Sequence, residues 1–550
     1  MKKKIKLFDT DSLKSLHKRV FFSITIFIFI YFISVYRISN IMLFSQDIDT
    51  NLEKNVNFER GNIYDHNGII LATSIDSISL SVNPTKIKDI KLLSNKLSKI
   101  LQVDSYQLEK KLNSQKNFVW VKRNITPIEY QKIVNLGEIN LQTHKEQKRI
   151  YPYKNSASHL VGYVDVDLNG QSGIERFFNN ELKISKDIYL SIDINLQQSV
   201  RKNLVSTISK YDAESGLAII MDISNGNILS SVSLPDFNPE NKDEYSKENL
   251  INRVFQSNYE MGSTFKPITA TMGFDLDIIK PEMKFDVKKN FKGISDHDKY
   301  KNDGIYDVEK IIVESSNIGS AQIATLIGKK NQKKFFDKLG FNKRINIENN
   351  EAAKPLGNKN NWGPIETATI GFGHGFSITP LHLVKAYATL ANNGYEVFPT
   401  LISEKEINIE NKILHKISSS QFFLNLLNSV VMKTDYTGPR VKIDGYNVGG
   451  KTGTSELLNP DGGYFKDRNL TSFIGVFPID NPQYIIYTAI HYPKKEKGTN
   501  QRMTGARVNA PLVKNIIIDM IKLYNIPKLI INEYQKVDTK FTYKNINEVI

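Results

Sequence analysis

The chain has 550 residues, 73 basic against 58 acidic side chains, a formal net charge of +15, 40% hydrophobic residues and no cysteine. That hydrophobic content excludes an intrinsically disordered chain, and the lack of cysteine excludes a disulfide scaffold, a thiolate zinc finger and a cysteine nucleophile. The length calls for two or more domains, and the charge raises the question of a nucleic-acid partner.

The charge sits mainly at the ends. Residues 1–19 carry a net +5, residues 494–550 a net +6, and residues 20–493 only +4. No basic groove through the body and no nucleic-acid motif accompanies it, so no nucleic-acid partner is expected.

Val20 to Tyr36 run for 17 positions without a charge. At 1.5 Å per residue such a helix spans roughly 25 Å, close to the thickness of a bilayer core. Ser23, Thr25 and Ser34 can bond back to the helix. The apolar tract resumes at Ile41-Met-Leu-Phe44, and no small-residue cleavage site follows. The basic residues before the span place the N-terminus in the cytoplasm and the remaining chain outside the membrane.

Beyond the span, the alternation of Ser77-Ile-Ser-Leu-Ser-Val-Asn83 predicts a strand, Lys86 to Leu112 reads as helical, and Asp193-Ile-Asn-Leu-Gln197 opens a helix running toward Lys210. Gly216 to Asp222 and Ile228 to Ser233, joined through Ser224-Asn-Gly226, read as a β-hairpin. This divides the chain into a cytoplasmic tail (1–19), a membrane anchor (20–44), a mixed pedestal domain (45–205), a main outer domain (206–525) and a polar C-terminal tail (526–550).

Three short motifs follow in order. In Ser263-Thr-Phe-Lys266, a helix starting near Ser263 puts both side chains on one face. A serine hydroxyl needs a base, and a lysine kept neutral by desolvation or a neighbouring cation can serve. Ser315-Ser-Asn317 offers a hydroxyl for proton relay and an amide for a substrate backbone. Lys451-Thr-Gly-Thr454 suggests the end of an edge strand, with Gly453 admitting close backbone approach and Lys451, Thr452 and Thr454 suited to a carboxylate. Each pattern alone is weak: Ser15-Leu-His-Lys18 and Ser81-Val-Asn83 match the first two by accident. Their joint order points to a serine acyl enzyme. His159 and His374 lack paired ligand spacing, so no metal is expected.

The three motifs together resemble those of the class B penicillin-binding proteins, specifically the division-type peptidoglycan D,D-transpeptidases. Arg60-Gly-Asn-Ile-Tyr-Asp-His-Asn-Gly68 resembles that family's first pedestal motif, with His66 where arginine is usual. Tyr151-Pro152, His159-Leu-Val-Gly162 and Gly173-Ile-Glu175 resemble later pedestal motifs. Pro235 to Pro239, Asn252-Arg253, Gly371-Phe-Gly-His-Gly375, Thr379-Pro-Leu381, Ser472-Phe473 and Gly475 extend the likeness through the catalytic region. Met261, where proline is common, and His382, where glutamine is usual, depart from it. Arg60 also has a purely structural reading, as half of an ion pair.

The resemblance implies an α+β multidomain protein: one N-terminal transmembrane helix, an elongated mixed pedestal of the dimerisation type, and a transpeptidase domain whose antiparallel sheet is flanked by helices, as in serine β-lactamases. It implies Ser263 as nucleophile, Lys266 as base and Ser315 as proton relay. Asn317, Lys451, Thr452, Gly453 and Thr454 would bind substrate, and the backbone N–H groups of Ser263 and Thr454 would form the oxyanion hole. It implies a peptidoglycan stem peptide as substrate, β-lactams as inhibitors, the membrane, a polytopic glycan polymerase and other division proteins as partners, and no cofactor. The rival expectations are an elongation-type transpeptidase, a carboxypeptidase or β-lactamase-like hydrolase, and a β-lactam sensor.

Overall fold

A computed structural model describes residues 10–44, 59–296, 304–357, 362–403, 411–458, 463–494 and 502–528. The chain divides into two units, residues 1–58 and 59–550. In the first, one helix runs from Thr10 to Phe44, and residues His17–Arg37 are long and apolar enough to cross a membrane. Ser23, Thr25 and Ser34 donate to the carbonyls of Arg19, Phe21 and Ile30 at 2.8–2.9 Å, which satisfies each hydroxyl within the helix.

The second unit begins with a sheet centred on the strand Ile70–Val82. This strand pairs antiparallel with Val119–Ile125 and with Leu141–Ile150. The stretch expected to be helical forms two helices, Ile90–Leu101 and Ser105–Leu112, capped by Asp89 and Asp104 through the N–H groups of Leu92 and Gln107. They separate at Gln102, which takes the left-handed conformation. Leu93, Leu97, Leu101, Leu108 and Leu112 bury one face against Leu80, Val82 and Val119.

Arg60 is buried in an ion pair. Its guanidinium meets Glu175 at 2.6 Å, and Arg149 meets the other oxygen of the same carboxylate at 2.7 Å. Tyr151 also donates to Glu175. His66 lies nearby in the chain, its Nδ1 3.2 Å from Ile192 O.

A second, five-stranded antiparallel sheet organises the rest. Its strands are β1 (Ser215–Asp222), β2 (Ile228–Leu234), β3 (Gly449–Leu458), β4 (Tyr464–Phe477) and β5 (Tyr484–His491), in the order β3-β4-β5-β1-β2. The expected hairpin is thus β1–β2. Alternation divides its side chains between two cores: Leu217, Ile219 and Met221 enter one, Ala218 and Ile220 the other. On the second face lie α1 (Ile194–Lys210), capped by Asp193, and a C-terminal helix, Gly505–Tyr524, through Leu196, Val200, Leu204, Val513 and Ile517. The expected boundary near residue 205 falls inside α1, whose apolar face packs on this sheet. Ile526 O accepts from Tyr446 OH at 2.8 Å, which ties the start of the expected tail to the domain.

On the first face, α2 (Lys266–Asp275) is almost wholly buried, and α3 (Asn317–Leu339) packs against it. These two helices and edge strand β3 hold the three motifs.

Candidate active site

Ser263 lies in a short 3-10 turn, Gly262–Phe265, that leads directly into α2. The segment is fixed from several sides. Thr264 Oγ1 donates to Met261 O at 2.7 Å, Tyr387 OH donates to Thr264 O at 2.5 Å, and Gly262 N–H donates to Gly373 O at 3.0 Å. Met261 has φ −76°, an angle that proline's ring would also impose, so the departure from the usual proline leaves the backbone course intact. Its sulfur accepts from Tyr487 OH at 3.8 Å. His382, the other departure, is buried between Thr379 Oγ1 (2.7 Å) and Lys343 O (2.9 Å), and burial pushes it down to about 4.

Lys266 is the first residue of α2 and is 1% exposed. Its amine donates to the carbonyl oxygen of Ser315 and, at 3.1 Å, to the Ser315 hydroxyl. Lys451, also 1% exposed, donates to the same hydroxyl at 3.0 Å and to Thr452 O at 3.1 Å. Ser315 thus joins the two lysines, and no hydrogen bond of Ser263 Oγ is found among the described residues. Burial, the nearby Lys451 cation and, in opposition, Asp296 act on Lys266, whose pKa falls well below the ordinary lysine value. Burial alone brings Lys451 down to about 7.

Ser315 has φ +57°, a left-handed conformation that side chains rarely adopt. It sits between the end of the helix Val308–Val313 and the start of α3. Ser316 caps α3 through Gly319 N–H at 2.9 Å. Asp296 fixes the junction: its carboxylate accepts from Ser316 Oγ and Asn317 N–H at 2.5 Å each, and from Ile318 N–H at 3.1 Å. Asn317 Nδ2 donates to Ser295 O at 3.4 Å. Nothing local in the sequence marks Asp296, because its partners lie some twenty positions away.

Lys451-Thr-Gly-Thr454 opens β3 rather than ending it, since pairing with β4 already starts at Gly449 and Val476. Lys451 and Gly453 leave the strand on one face, Thr452 and Thr454 on the other. A Cβ on Gly453 would lie 2.4 Å from Ser472 Oγ and 3.0 Å from Thr264 Cγ2, so only glycine lets the strand pass the Ser263 turn. A Cβ on Gly262 would lie 3.4 Å from Thr454 O, which brings the two backbones into contact. Thr452 and Thr454 are partly exposed, and Thr454 Oγ1 also accepts from Gly505 N–H at 3.4 Å. His159 Nε2 lies 2.7 Å from Asn249 O in the interior, and burial lowers it to about 4.

The penicillin-binding protein transpeptidase domain family matches residues 216–518, and the penicillin-binding protein dimerisation domain family matches residues 55–219. The chain is similar to a probable peptidoglycan D,D-transpeptidase FtsI of Caulobacter vibrioides, 29% identical over 83% of this chain and 80% of that protein. It is also similar to peptidoglycan D,D-transpeptidase FtsI of Escherichia coli, 26% identical over 86% of this chain and 84% of that protein. A solved peptidoglycan synthetase from Bifidobacterium adolescentis shares the fold, with a TM-score of 0.67 and 20% identity over 86% of this chain and 96% of that one. The chain belongs to the penicillin-binding protein transpeptidase family, as a class B member that joins this domain to a dimerisation domain.

Proposed function

We propose that this protein is a single-pass, membrane-anchored peptidoglycan D,D-transpeptidase that crosslinks stem peptides during septal wall synthesis. The observation that carries the chemistry is the pair of buried lysines sharing the Ser315 hydroxyl, one of them, Lys266, a single turn after Ser263 in the chain. Neutral Lys266 takes the Ser263 proton as Oγ attacks the penultimate D-alanine carbonyl. The new C–O bond forms as the terminal amide breaks, and Ser315 passes the proton to the departing D-alanine amine. The N–H groups of Ser263 and Thr454 stabilise the oxyanion; such donors are worth about 2.7–4 kcal/mol each elsewhere. Thr452, Thr454 and the Lys451 charge hold the terminal carboxylate, or that of a β-lactam, while Asn317 contacts the substrate backbone. An amine of a second stem peptide then resolves the acyl-enzyme and restores Ser263.

Residues 1–19 lie in the cytoplasm, 20–44 form the anchor, and the pedestal and catalytic domains lie outside the membrane, where a polytopic glycan polymerase and division proteins are their partners. Relatives carrying the FtsI name support the septal assignment over an elongation role. Fluorescent penicillin labelling of membranes tests the mechanism: Ser263→Ala abolishes covalent labelling, and undiminished labelling would sink the assignment. A long-lived adduct supports transpeptidation over hydrolysis. Depletion tests the role, with filamentation expected and rounding pointing to elongation.

A further inference from the structure

His374 stands where three parts of the site meet. Its loop, Gly371–Gly375, is tied to both catalytic helices. Thr269 Oγ1 of α2 donates to Gly371 O at 2.9 Å, and a Cβ on Gly371 would lie 2.4 Å from Ala324 of α3. Gly373, at φ +79°, lies flat on the residue before the nucleophile: a Cβ there would come within 2.3 Å of Gly262 O. From this loop, His374 Nδ1 reaches Glu260 at 2.9 Å. The Glu260 side chain is 5% exposed and that of His374 is 40% exposed.

Glu260 has further partners. Its Oε1 accepts from Gly375 N–H at 2.8 Å and from Tyr464 OH at 2.9 Å. The Tyr464 oxygen lies 3.2 Å from His374 Nε2, and the two rings stack with centroids 5.0 Å apart. Tyr464 begins β4, whose partner β3 carries Lys451 and Thr454. One buried carboxylate therefore joins the strand leading to Ser263, the glycine-rich loop and the β3–β4 hairpin.

We propose that Glu260, His374 and Tyr464 form a proton-linked latch that holds the β3–β4 hairpin against the Ser263 segment, with His374 a positioning residue for acylation. This deepens the reading of Ser263 as nucleophile and rests on it. The protonated imidazole places its charge 2.9 Å from the Glu260 carboxylate and donates from Nε2 to the Tyr464 oxygen; the neutral ring loses that charge and carries a single N–H. The titratable groups facing His374 are Glu260 on the strand Tyr259–Glu260, Tyr464 on β4 and Glu456 on β3; Phe372 on its own loop stacks beside it. The adjoining Glu260 carboxylate raises the His374 pKa, burial opposes this, and the charge of Glu456 adds to the rise. The charged latch is complete below the ordinary imidazole value and is lost as pH rises through the higher value of the folded site.

The test measures the second-order rate of fluorescent penicillin labelling of the full-length, detergent-solubilised protein from about pH 5.5 to about pH 9, the range in which a histidine titrates. Wild type is compared with His374→Gln, His374→Asn, Tyr464→Phe and the double variant His374→Gln/Tyr464→Phe. Lys266 and Lys451 titrate in all of them, so the ratio of each variant to wild type isolates the latch. Wild type is expected to exceed His374→Gln and His374→Asn by about threefold or more at the acid end, the size of one net hydrogen bond at a partly exposed site, and to converge with them at the alkaline end. His374→Gln is expected to have a smaller effect in the Tyr464→Phe background than alone. A ratio that stays flat across pH, or full additivity of the two substitutions, overturns the latch. Ser263→Ala keeps the two readings apart. Labelling that survives it removes the nucleophile assignment, whereas Ser263-dependent labelling with a flat ratio removes the latch alone.

Discussion

Two regions of this molecule bury cations, and they do so in opposite ways. In the pedestal, Arg60 and Arg149 share the Glu175 carboxylate, with all three side chains nearly inaccessible. In the catalytic domain, Lys266 and Lys451 are equally buried, but among the described residues their amines meet hydroxyl and carbonyl oxygens of Ser315 and Thr452. A buried guanidinium keeps its proton and needs an anion. A buried ammonium without one can escape the desolvation penalty by losing its proton. The first arrangement yields a fixed joint; the second leaves an amine free to titrate, as the proposed base role of Lys266 requires.

The largest expected effect comes from closing that escape. Lys266→Arg replaces a titrating amine with a group that stays charged, and penicillin labelling should fall by about 10²- to 10⁴-fold, the usual worth of a general base. Retained labelling would remove Lys266 from the base role. Next, Glu175→Gln leaves two guanidinium groups uncompensated in the pedestal and should destabilise the protein by about 3–5 kcal/mol, read from chemical denaturation. The labelling rate per folded molecule should stay unchanged, and a selective loss of rate would break the division between joint and base.

A smaller effect sharpens the lysine pair itself. Lys451→Met removes the cation that helps to lower Lys266. The folded-state pKa of Lys266 then rises, so the acid limb of the labelling profile moves to higher pH, in addition to a loss of rate from the missing bond to Ser315. A limb that stays in place shows that Lys451 contributes position alone. The smallest effect is expected at Met261→Pro: φ −76° already suits the ring, so stability should change by less than about 1 kcal/mol. A larger loss would assign the packing of the Met261 side chain against Tyr487 more weight than the turn.

The elements legible in the sequence were those defined by short-range pattern. The uncharged run from Val20 to Tyr36, the β1–β2 hairpin and the helix opening at Asp193 each depend on neighbours within a few positions. The separation of the helices at Gln102 was not legible, since nothing in that residue type demands a left-handed conformation. The packing of α1 on the catalytic sheet was hidden for a different reason: its amphipathic face says that it packs but not on what.

By itself, the sequence determined which chemistry-bearing residues exist and in what order: a serine and a lysine one turn apart, a second serine and an asparagine, and a lysine followed by a glycine. Tertiary structure alone decided that the two lysines meet over Ser315, that Asp296 anchors the Ser315–Asn317 junction and that Glu260 joins three segments. The reason is physical. Motif spacing follows from local backbone geometry, whereas desolvation and long-range hydrogen bonds arise only once distant segments close around a side chain and exclude water.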